Sequence, residues 1–224
     1  MIQAWQKRLL NNRPSVQYDF TTSGTHTQVL DAGIYDISLV GGGGGGALVS
    51  VASTGIKQYA RGGVGGVIQV RVAVPVQTTV TINVGTGGTS ARAGFTGSAT
   101  NATGVNGGTT NITGLDNAIL SAGGGSAASV TATSQTAANR TPGVQGENTI
   151  SGTNVMTIYA DNEIAITSTQ AASSDSRRTV IGQSNLNWPE NTQKGMGGDI
   201  GWNSNTSFIV RPGGVGFVRI KTAL

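Results

Sequence analysis

Residues 33–46 read Gly-Ile-Tyr-Asp-Ile-Ser-Leu-Val followed by six glycines in a row, Gly41 to Gly46. The first part alternates apolar and polar side chains, which predicts a β-strand with one buried face. Glycine costs about 1 kcal/mol to order relative to alanine, so six together hold no regular structure by propensity. We therefore expect the run where backbone must pass without a side chain, at tightly packed loops or where neighbouring backbones touch.

Glycine recurs in pairs and triplets along the rest of the chain. The 36 glycines among 224 residues are about twice the usual frequency of roughly 7%. No G-X-Y period is present, which excludes collagen. We interpret the glycines as one structural, non-catalytic system, whose candidate members are Gly41, Gly42, Gly43, Gly44, Gly45, Gly46, Gly123, Gly124 and Gly125.

The composition favours an ordered β protein with an uncharged polar surface. Charged residues make up 11% of the chain, against about 25% in ordinary domains, while apolar residues make up 37%.

The absence of cysteine excludes disulfides and thiolate metal sites. No apolar run approaches the roughly 20 residues of a membrane span, so no membrane insertion is expected. The net charge of +4 reflects few acids, and no dense basic patch predicts nucleic-acid binding.

Short alternating segments bounded by glycine-rich turns predict an all-β fold, a sandwich or jelly-roll-like domain with glycine-rich loops. Residues 64–76 are rich in β-branched side chains, and residues 78–84 alternate cleanly. Residues 206–211 and 216–221 are predicted to pair as closing strands across a turn at Pro212-Gly213-Gly214.

The domain organisation is predicted as an N-terminal attachment segment, residues 1–14, and a glycine-rich β domain, residues 15–224. Residues 89–153 are mostly Gly, Ala, Ser, Thr and Asn, which predicts a low-complexity, loop-rich insertion. It is interpreted either as long surface loops or extended segments packed through small side chains, or as a variable exposed lobe. The attachment segment is expected to be a short helical or extended peg. Its apolar residues at helical spacing either dock into a larger particle or pack as a strap on the domain; they are Ile2, Trp5 and Leu9.

No motif predicts catalysis, a cofactor or a metal. The glycine run formally satisfies the dinucleotide fingerprint, but no helix cap follows and no acid lies between Asp36 and Asp116. His26 is the one histidine, and no nucleophile elbow accompanies it. The closest acid pair, Asp161 and Glu163, is interpreted as a solvated strand face.

Four pieces in order resemble the glycine-rich domain found in bacteriophage tail fibres and adhesins. They are residues 33–40 running into the polyglycine, residues 74–88, Ser121-Ala122-Gly123-Gly124-Gly125, and residues 212–220. The resemblance covers nearly the whole chain, from about Tyr18 to Ile220.

The resemblance implies a virion surface protein, commonly trimeric, that contributes to host attachment and has no catalytic residues. We expect no long fibre shaft before the domain, so a head fibre, baseplate or tail-tip position is expected as an alternative to a tail fibre. The expected partners are copies of itself, other virion proteins through the N-terminus, and a host surface glycan or protein. The alternatives are a bacterial cell-surface or extracellular filament subunit and an enzyme acting on surface polysaccharide. Aromatic faces pack on sugars, so the candidate receptor contacts are Trp188, Trp202 and Tyr159, although the two tryptophans could instead anchor a loop.

Overall fold

The computed structural model describes residues 15–51, 57–134, 137–161, 195, 197, 200–204, 207–210 and 212–223. Across these residues the chain is all-β, with eighteen strands and no helix, which confirms the predicted fold class. The expected peg residues Ile2, Trp5 and Leu9 lie outside the described residues. The strands are β1 (Gln17–Phe20), β2 (Gly24–Leu30), β3 (Gly33–Val40), β4 (Ala47–Val51), β5 (Lys57–Ala60), β6 (Val67–Val74), β7 (Thr78–Val84), β8 (Ala91–Phe95), β9 (Thr100–Thr103), β10 (Thr110–Thr113), β11 (Ile119–Ala122), β12 (Ser129–Ala132), β13 (Ala138–Thr141), β14 (Asn148–Ser151), β15 (Val155–Asp161), β16 (Ile200–Ser204), β17 (Ser207–Val210) and β18 (Phe217–Thr222).

Two five-stranded sheets pack together to form the base of the molecule. Their strand orders are β1-β18-β3-β6-β15 and β14-β11-β10-β7-β2. Alternation along β7 buries Val80, Ile82 and Val84 and leaves Thr79 exposed. These side chains share one core cluster with Ile37 of β3 and its neighbours. Each fully buried aliphatic side chain stabilises the fold by about 1.5–3 kcal/mol, so this core is the main source of stability in the base.

The opposite end of the molecule, which we call the tip, contains two three-stranded sheets and a hairpin. The sheets are ordered β5-β4-β8 and β13-β12-β9, and the hairpin pairs β16 with β17. The core between the sheets is small, with five alanines among its seven buried residues. Small side chains let the sheets approach closely, and they bury less apolar area per residue than the base does. The seven are Ala47, Val49, Ala60, Ala102, Ala128, Val130 and Ala132.

In the part of the chain that the structure describes, glycine-rich segments link base and tip eight times, four outward and four returning. Each excursion leaves a base strand, forms two strands in the tip and returns to a base strand. We call the eight crossings together the glycine bundle. They are residues 41–46, 61–66, 85–90, 104–109, 123–128, 142–147, the crossing that contains Gly195 and Gly197, and residues 212–216.

The predicted closing strand pair is wrong. Strand β17 pairs with β16, whereas β18 pairs with β1 and β3 in the base. Gly213 and Gly214 do not form a turn, because they cross the bundle and the Gly214 carbonyl accepts a hydrogen bond from Gly43. A Pro-Gly-Gly sequence is a turn signal in isolation, but here packing against other backbones decides its conformation.

Residues 89–153 form extended segments in the structure, one of the two forms expected for this low-complexity region. This region supplies strands β8 to β14 and parts of four crossings of the bundle. Its small side chains belong to strands that pack closely in the tip and in the second base sheet. The low complexity therefore reflects tight packing of regular structure.

Candidate functional site

The central crossing, residues 41–46, is fully buried, and its N–H groups donate to three neighbouring crossings in turn. The N–H groups of residues three apart therefore donate to the same neighbouring crossing. The five backbone hydrogen bonds have N···O distances of 2.8–2.9 Å. The series ends where the Gly46 N–H donates to the Ser90 hydroxyl at 2.8 Å. The backbone pairs are Gly41 to Gly66, Gly42 to Gly108, Gly43 to Gly214, Gly44 to Gly63 and Gly45 to Val105.

A three-residue period is the period of the extended polyproline II helix, which has three residues per turn and no internal hydrogen bonds. The central crossing shows both properties, because its backbone groups bond to other segments of the chain and none bonds within the crossing. In such a helix one segment can bond to neighbours on every side, whereas a β-strand bonds only to the two strands beside it.

The carbonyls of the central crossing accept from two further neighbours. Gly42 accepts from Gly125 and Gly43 accepts from Gly88, both at 2.8 Å. The crossings that accept from the centre run toward the base, and those that donate to it run toward the tip. The centre thus has antiparallel neighbours on its N–H side and parallel neighbours on its C=O side.

Six crossings surround the centre in a closed ring, in which each is hydrogen-bonded to the next. The eighth, residues 142–147, lies outside the ring against the crossings 61–66 and 123–128. The bonds that close the ring are Gly66 to Gly123, Gly107 to Gly125, Gly108 to Thr86, Gly213 to Gly88, Gly195 to Val215 and Gly65 to Gly195, at 2.7–2.9 Å.

Glycine is required in the bundle because the backbones approach too closely for any side chain. A Cβ placed on Gly41, Gly44 or Gly45 would lie closer than 3.0 Å to a carbonyl oxygen of a neighbouring crossing. The obstructing atoms are backbone, so no rotamer change relieves the overlap. Close approach accounts for these glycines, and the left-handed backbone region plays no part in the argument.

The same geometry decides what the glycine run can bind. Phosphate-binding glycine loops present free backbone N–H groups to the ligand at the start of a helix. Here the N–H groups from Gly41 to Gly46 are all used inside the protein, and β4 follows the run. The arrangement is a structural connector and does not form a phosphate cradle.

His26 is held by its own neighbourhood in the base. Its Nε2 lies 2.9 Å from the Thr22 carbonyl oxygen. Its ring centroid lies 5.4 Å from that of Phe20. These contacts explain the histidine as a packed side chain at the edge of a sheet.

Two of the carboxylates in the base are paired with arginines. Arg71 donates two hydrogen bonds to Asp36, at 2.7 and 2.8 Å. Arg219 contacts Asp19 in the same bidentate way, and the hydrogen bond from Arg219 lowers the pKa of Asp19.

In the part of the chain that the structure describes, no three His, Cys, Asp or Glu residues converge as a metal site, and no helix is long and apolar enough to cross a membrane.

The structure separates the candidate receptor contacts. Tyr159 lies on β15 of the base, opposite Gln69 and next to a register shift. Trp202 lies on β16 of the tip hairpin, opposite Phe208. Trp188 lies outside the described residues, as does Glu163 of the acid pair. By contrast, Gly123, Gly124 and Gly125 lie beside the central crossing, as part of the ring.

Sequence reasoning did not find the ring. The signal that could have found it is the regular order of strand, glycine segment, two short strands, glycine segment and strand, repeated four times. The tip turns between β8 and β9 and between β12 and β13 were equally missed, because their strands are only four or five residues long and rich in alanine and threonine.

The fold and the bundle define a class of all-β proteins in which buried polyglycine connects two β regions. Residues 21–223 match the family described as the glycine-rich domain. The chain belongs to this family. No curated protein matches the sequence.

Proposed function

We propose that the protein is a non-enzymatic structural protein of a phage virion, a tail-fibre, head-fibre or receptor-binding component that contributes to particle assembly and host attachment. The carrying observation is the hydrogen-bonded ring around residues 41–46, which fixes the tip relative to the base. Recognition residues are often found on loops that a rigid scaffold holds in place, and here the bundle would be the scaffold and the tip turns the loops.

In this proposal the tip carries the recognition surface. Its turns join the strand pairs β4–β5, β8–β9, β12–β13 and β16–β17, all at the same end of the bundle. The turn between β8 and β9 is exposed at residues 96–99. Substitutions in such turns leave the bundle bonds intact, so the scaffold can carry different contact residues.

The base would face the particle. The Thr222 N–H donates to the Val16 carbonyl at 3.0 Å, and the Ala223 N–H donates to the Ile34 carbonyl at 2.8 Å, so residues 16 and 223 both lie there. In the proposed assembly, a homotrimer contacts other virion proteins through residues 1–14.

A matched pair of insertions tests which end binds the host. A six-residue Gly-Ser insert after Ser98 disturbs the tip, and the same insert after Thr153 disturbs an exposed turn of the base. Binding of the labelled full chain to a panel of bacterial cells is measured by flow cytometry. We expect the tip insert to abolish binding and the base insert to retain it; loss only with the base insert, or no binding by the parent chain to any strain, contradicts the proposal.

The aromatic candidates are tested in the same assay. If Trp188 and Trp202 contact a host glycan, Trp188→Ala and Trp202→Ala reduce binding while the melting temperature stays unchanged. Tyr159→Phe tests the third candidate, and Lys221→Gln, on β18 of the base, is the control outside the candidate set. Binding that survives both alanine substitutions removes the tryptophans from the receptor site.

Light scattering on purified protein tests the assembly. A closed trimer gives a fixed mass of about three chains over a wide concentration range. Open linear polymers instead indicate a bacterial surface filament subunit, and a monomer contradicts the trimer.

A further inference from the structure

An apolar cavity opens at the end of the base that lies away from the bundle. The connections 75–77 and 114–118 border it, and they join strands whose other ends enter the bundle. Its volume of about 320 Å³ falls within the range of roughly 300–1,000 Å³ for ligand pockets. Val76 at its rim is 67% exposed. The floor consists of side chains that also belong to the base core, namely Val72, Val74, Leu115 and Ala118.

The connections around the cavity carry negative charge. Four described connections lie at this end of the base, residues 31–32, 75–77, 114–118 and 152–154. Their charged residues are Asp31 and Asp116, both acidic. Asp116 lines the cavity, and Asp31 accepts a hydrogen bond at 2.7 Å from Gln77 in the bordering connection. The cavity therefore favours an occupant that combines an apolar side chain with basic neighbours.

Residues 1–14, which lie outside the described residues, have this chemistry. They contain three basic residues and no acid. Trp5 is their largest apolar side chain, and its indole N–H can donate to a polar group at the rim of an apolar site. Lys7 and Arg8 follow shortly after it, close enough in sequence to meet Asp116 when Trp5 is bound.

The chain leaves the base at the same end as the cavity. The Thr222 N–H donates to the Val16 carbonyl, Thr222 lies opposite Tyr35, and Tyr35 lies opposite Val72 of the cavity floor. Three strand spacings of about 4.8 Å therefore separate Val16 from Val72, about 14 Å in all. The chain from Trp5 to Val16 spans about 36 Å when extended and about 16 Å when helical, so it reaches the cavity in either form.

We infer that Trp5 docks into this cavity of its own chain, with Lys7 and Arg8 beside Asp116 and Asp31. A short tether gives an effective concentration in the millimolar range, so even a weak contact of this kind is occupied. The inference concerns the free chain, so it goes beyond the proposed function and does not depend on it. Docked in this way, residues 1–14 would form part of the surface that the base presents to a particle.

Disulfide trapping tests the contact in the full chain, because the chain contains no cysteine of its own. Gln6→Cys, next to Trp5, is combined either with Val76→Cys at the cavity rim or with Ile34→Cys. Ile34 is 44% exposed and lies nearer the point where the chain leaves the base, since its carbonyl accepts from Ala223. It is therefore the matched control for simple proximity.

In a glutathione redox buffer, we expect the disulfide with Val76→Cys to form at least tenfold faster than the disulfide with Ile34→Cys. A tether without a docking site would react faster with the nearer Ile34→Cys. Repeating both pairs with Ala4→Cys in place of Gln6→Cys covers the case in which one thiol points away. Equal or faster trapping at Ile34→Cys in both series overturns the inference. A disulfide between two chains on a non-reducing gel also overturns it, because the occupant would then come from a second copy.

Further substitutions identify the groups that make the contact. Trp5→Ala should slow trapping at Val76→Cys at least fivefold without slowing trapping at Ile34→Cys, and Gln3→Ala is the control that should change neither rate. Asp116→Asn should slow trapping at Val76→Cys at least threefold. An unchanged rate in Trp5→Ala overturns the assignment of Trp5 to the cavity, and an unchanged rate in Asp116→Asn overturns the assignment of its charged partner.

Discussion

At the scale of single residues, glycine acts here by its missing side chain. Among the described glycines of the bundle only Gly195 has a clearly positive φ, and the other positive values lie outside it, at Gly24, Gly97, Gly114 and Gly152. Their role is to let carbonyl oxygens of neighbouring crossings occupy the space of a Cβ. Because the obstructing atoms belong to a hydrogen-bonded lattice, one substitution displaces several bonds at once.

Gly44→Ala and Gly94→Ala form a matched pair of substitutions. An added Cβ on Gly44 would collide with the Ser126 carbonyl, whereas one on Gly94, on β8, would meet nothing within 4 Å. We expect Gly44→Ala to lower the free energy of unfolding by at least about 3 kcal/mol and Gly94→Ala to raise it by up to about 1 kcal/mol.

Urea unfolding followed by circular dichroism measures both variants. If Gly44→Ala is insoluble while Gly94→Ala is soluble, the expected order still holds. Equal stability of the two variants would mean that close approach does not require Gly44.

The ion pair between Asp19 and Arg219 adds a pH-dependent contribution. The hydrogen bond from Arg219 lowers the pKa of Asp19 in the folded state. The pair therefore stabilises the fold above the unfolded pKa near 3.8, and the contribution is lost as pH falls through the folded pKa. Asp19→Asn should cost up to about 1 kcal/mol near neutral pH, since the pair is partly exposed.

Urea titrations of parent and Asp19→Asn at several pH values check this prediction. The difference in the free energy of unfolding should be present near pH 6 and should shrink as the pH falls below the unfolded pKa near 3.8. Arg219→Gln with Asp19→Asn completes a double-mutant cycle. A difference that persists at the acidic end would show that the effect of Asp19→Asn has another cause.

At the scale of elements, sequence reasoning succeeded where side chains alternate and failed where they are absent. Residues 78–84 alternate cleanly and form β7 as predicted, and the alternation before the glycines forms β3. The bundle could not be predicted in this way, because its three-residue period appears only in hydrogen bonds between segments far apart in sequence, such as Gly43 with Gly214. Glycine has no side chain with which to display a period of three in the sequence.

The positions of the candidate receptor contacts could not be predicted from the sequence for the same reason. Trp202 was identified by residue type, but the sequence did not predict that it lies on a tip hairpin while Tyr159 lies in the base. The placement of the tip turns at one end follows from the crossings, which carry short strands far from their neighbours in sequence. Their shared location therefore emerges only with the topology.

The central crossing should be the slowest-exchanging element of the protein. Its N–H groups are buried and bonded to neighbours on several sides, so exchange requires opening of the whole bundle. Residues 96–99 of the tip turn are exposed and should exchange fastest among the described residues. Hydrogen exchange read by mass spectrometry on peptides covering residues 40–47 and 95–100 tests the order, and equal protection would contradict a rigid bundle.

At the scale of the whole molecule, the bundle joins two cores of unequal size. The base core is rich in Ile, Leu and Val, whereas the tip core is mostly alanine. A tip core this small buries little apolar area and has little stability of its own. Its strands are instead continuous with crossings that are hydrogen-bonded to crossings of other excursions.

This continuity predicts one cooperative unfolding transition. Ile82→Ala removes a fully buried side chain of the base and should cost about 2–5 kcal/mol, and Val130→Ala in the tip should cost about 2 kcal/mol. Because the ring transmits the loss of either core to the other, both variants should lower the same single melting temperature. Calorimetry with circular dichroism distinguishes the cases: a separate early transition in Val130→Ala, with the base transition unmoved, would show that the tip unfolds on its own and that the bundle does not couple the two ends.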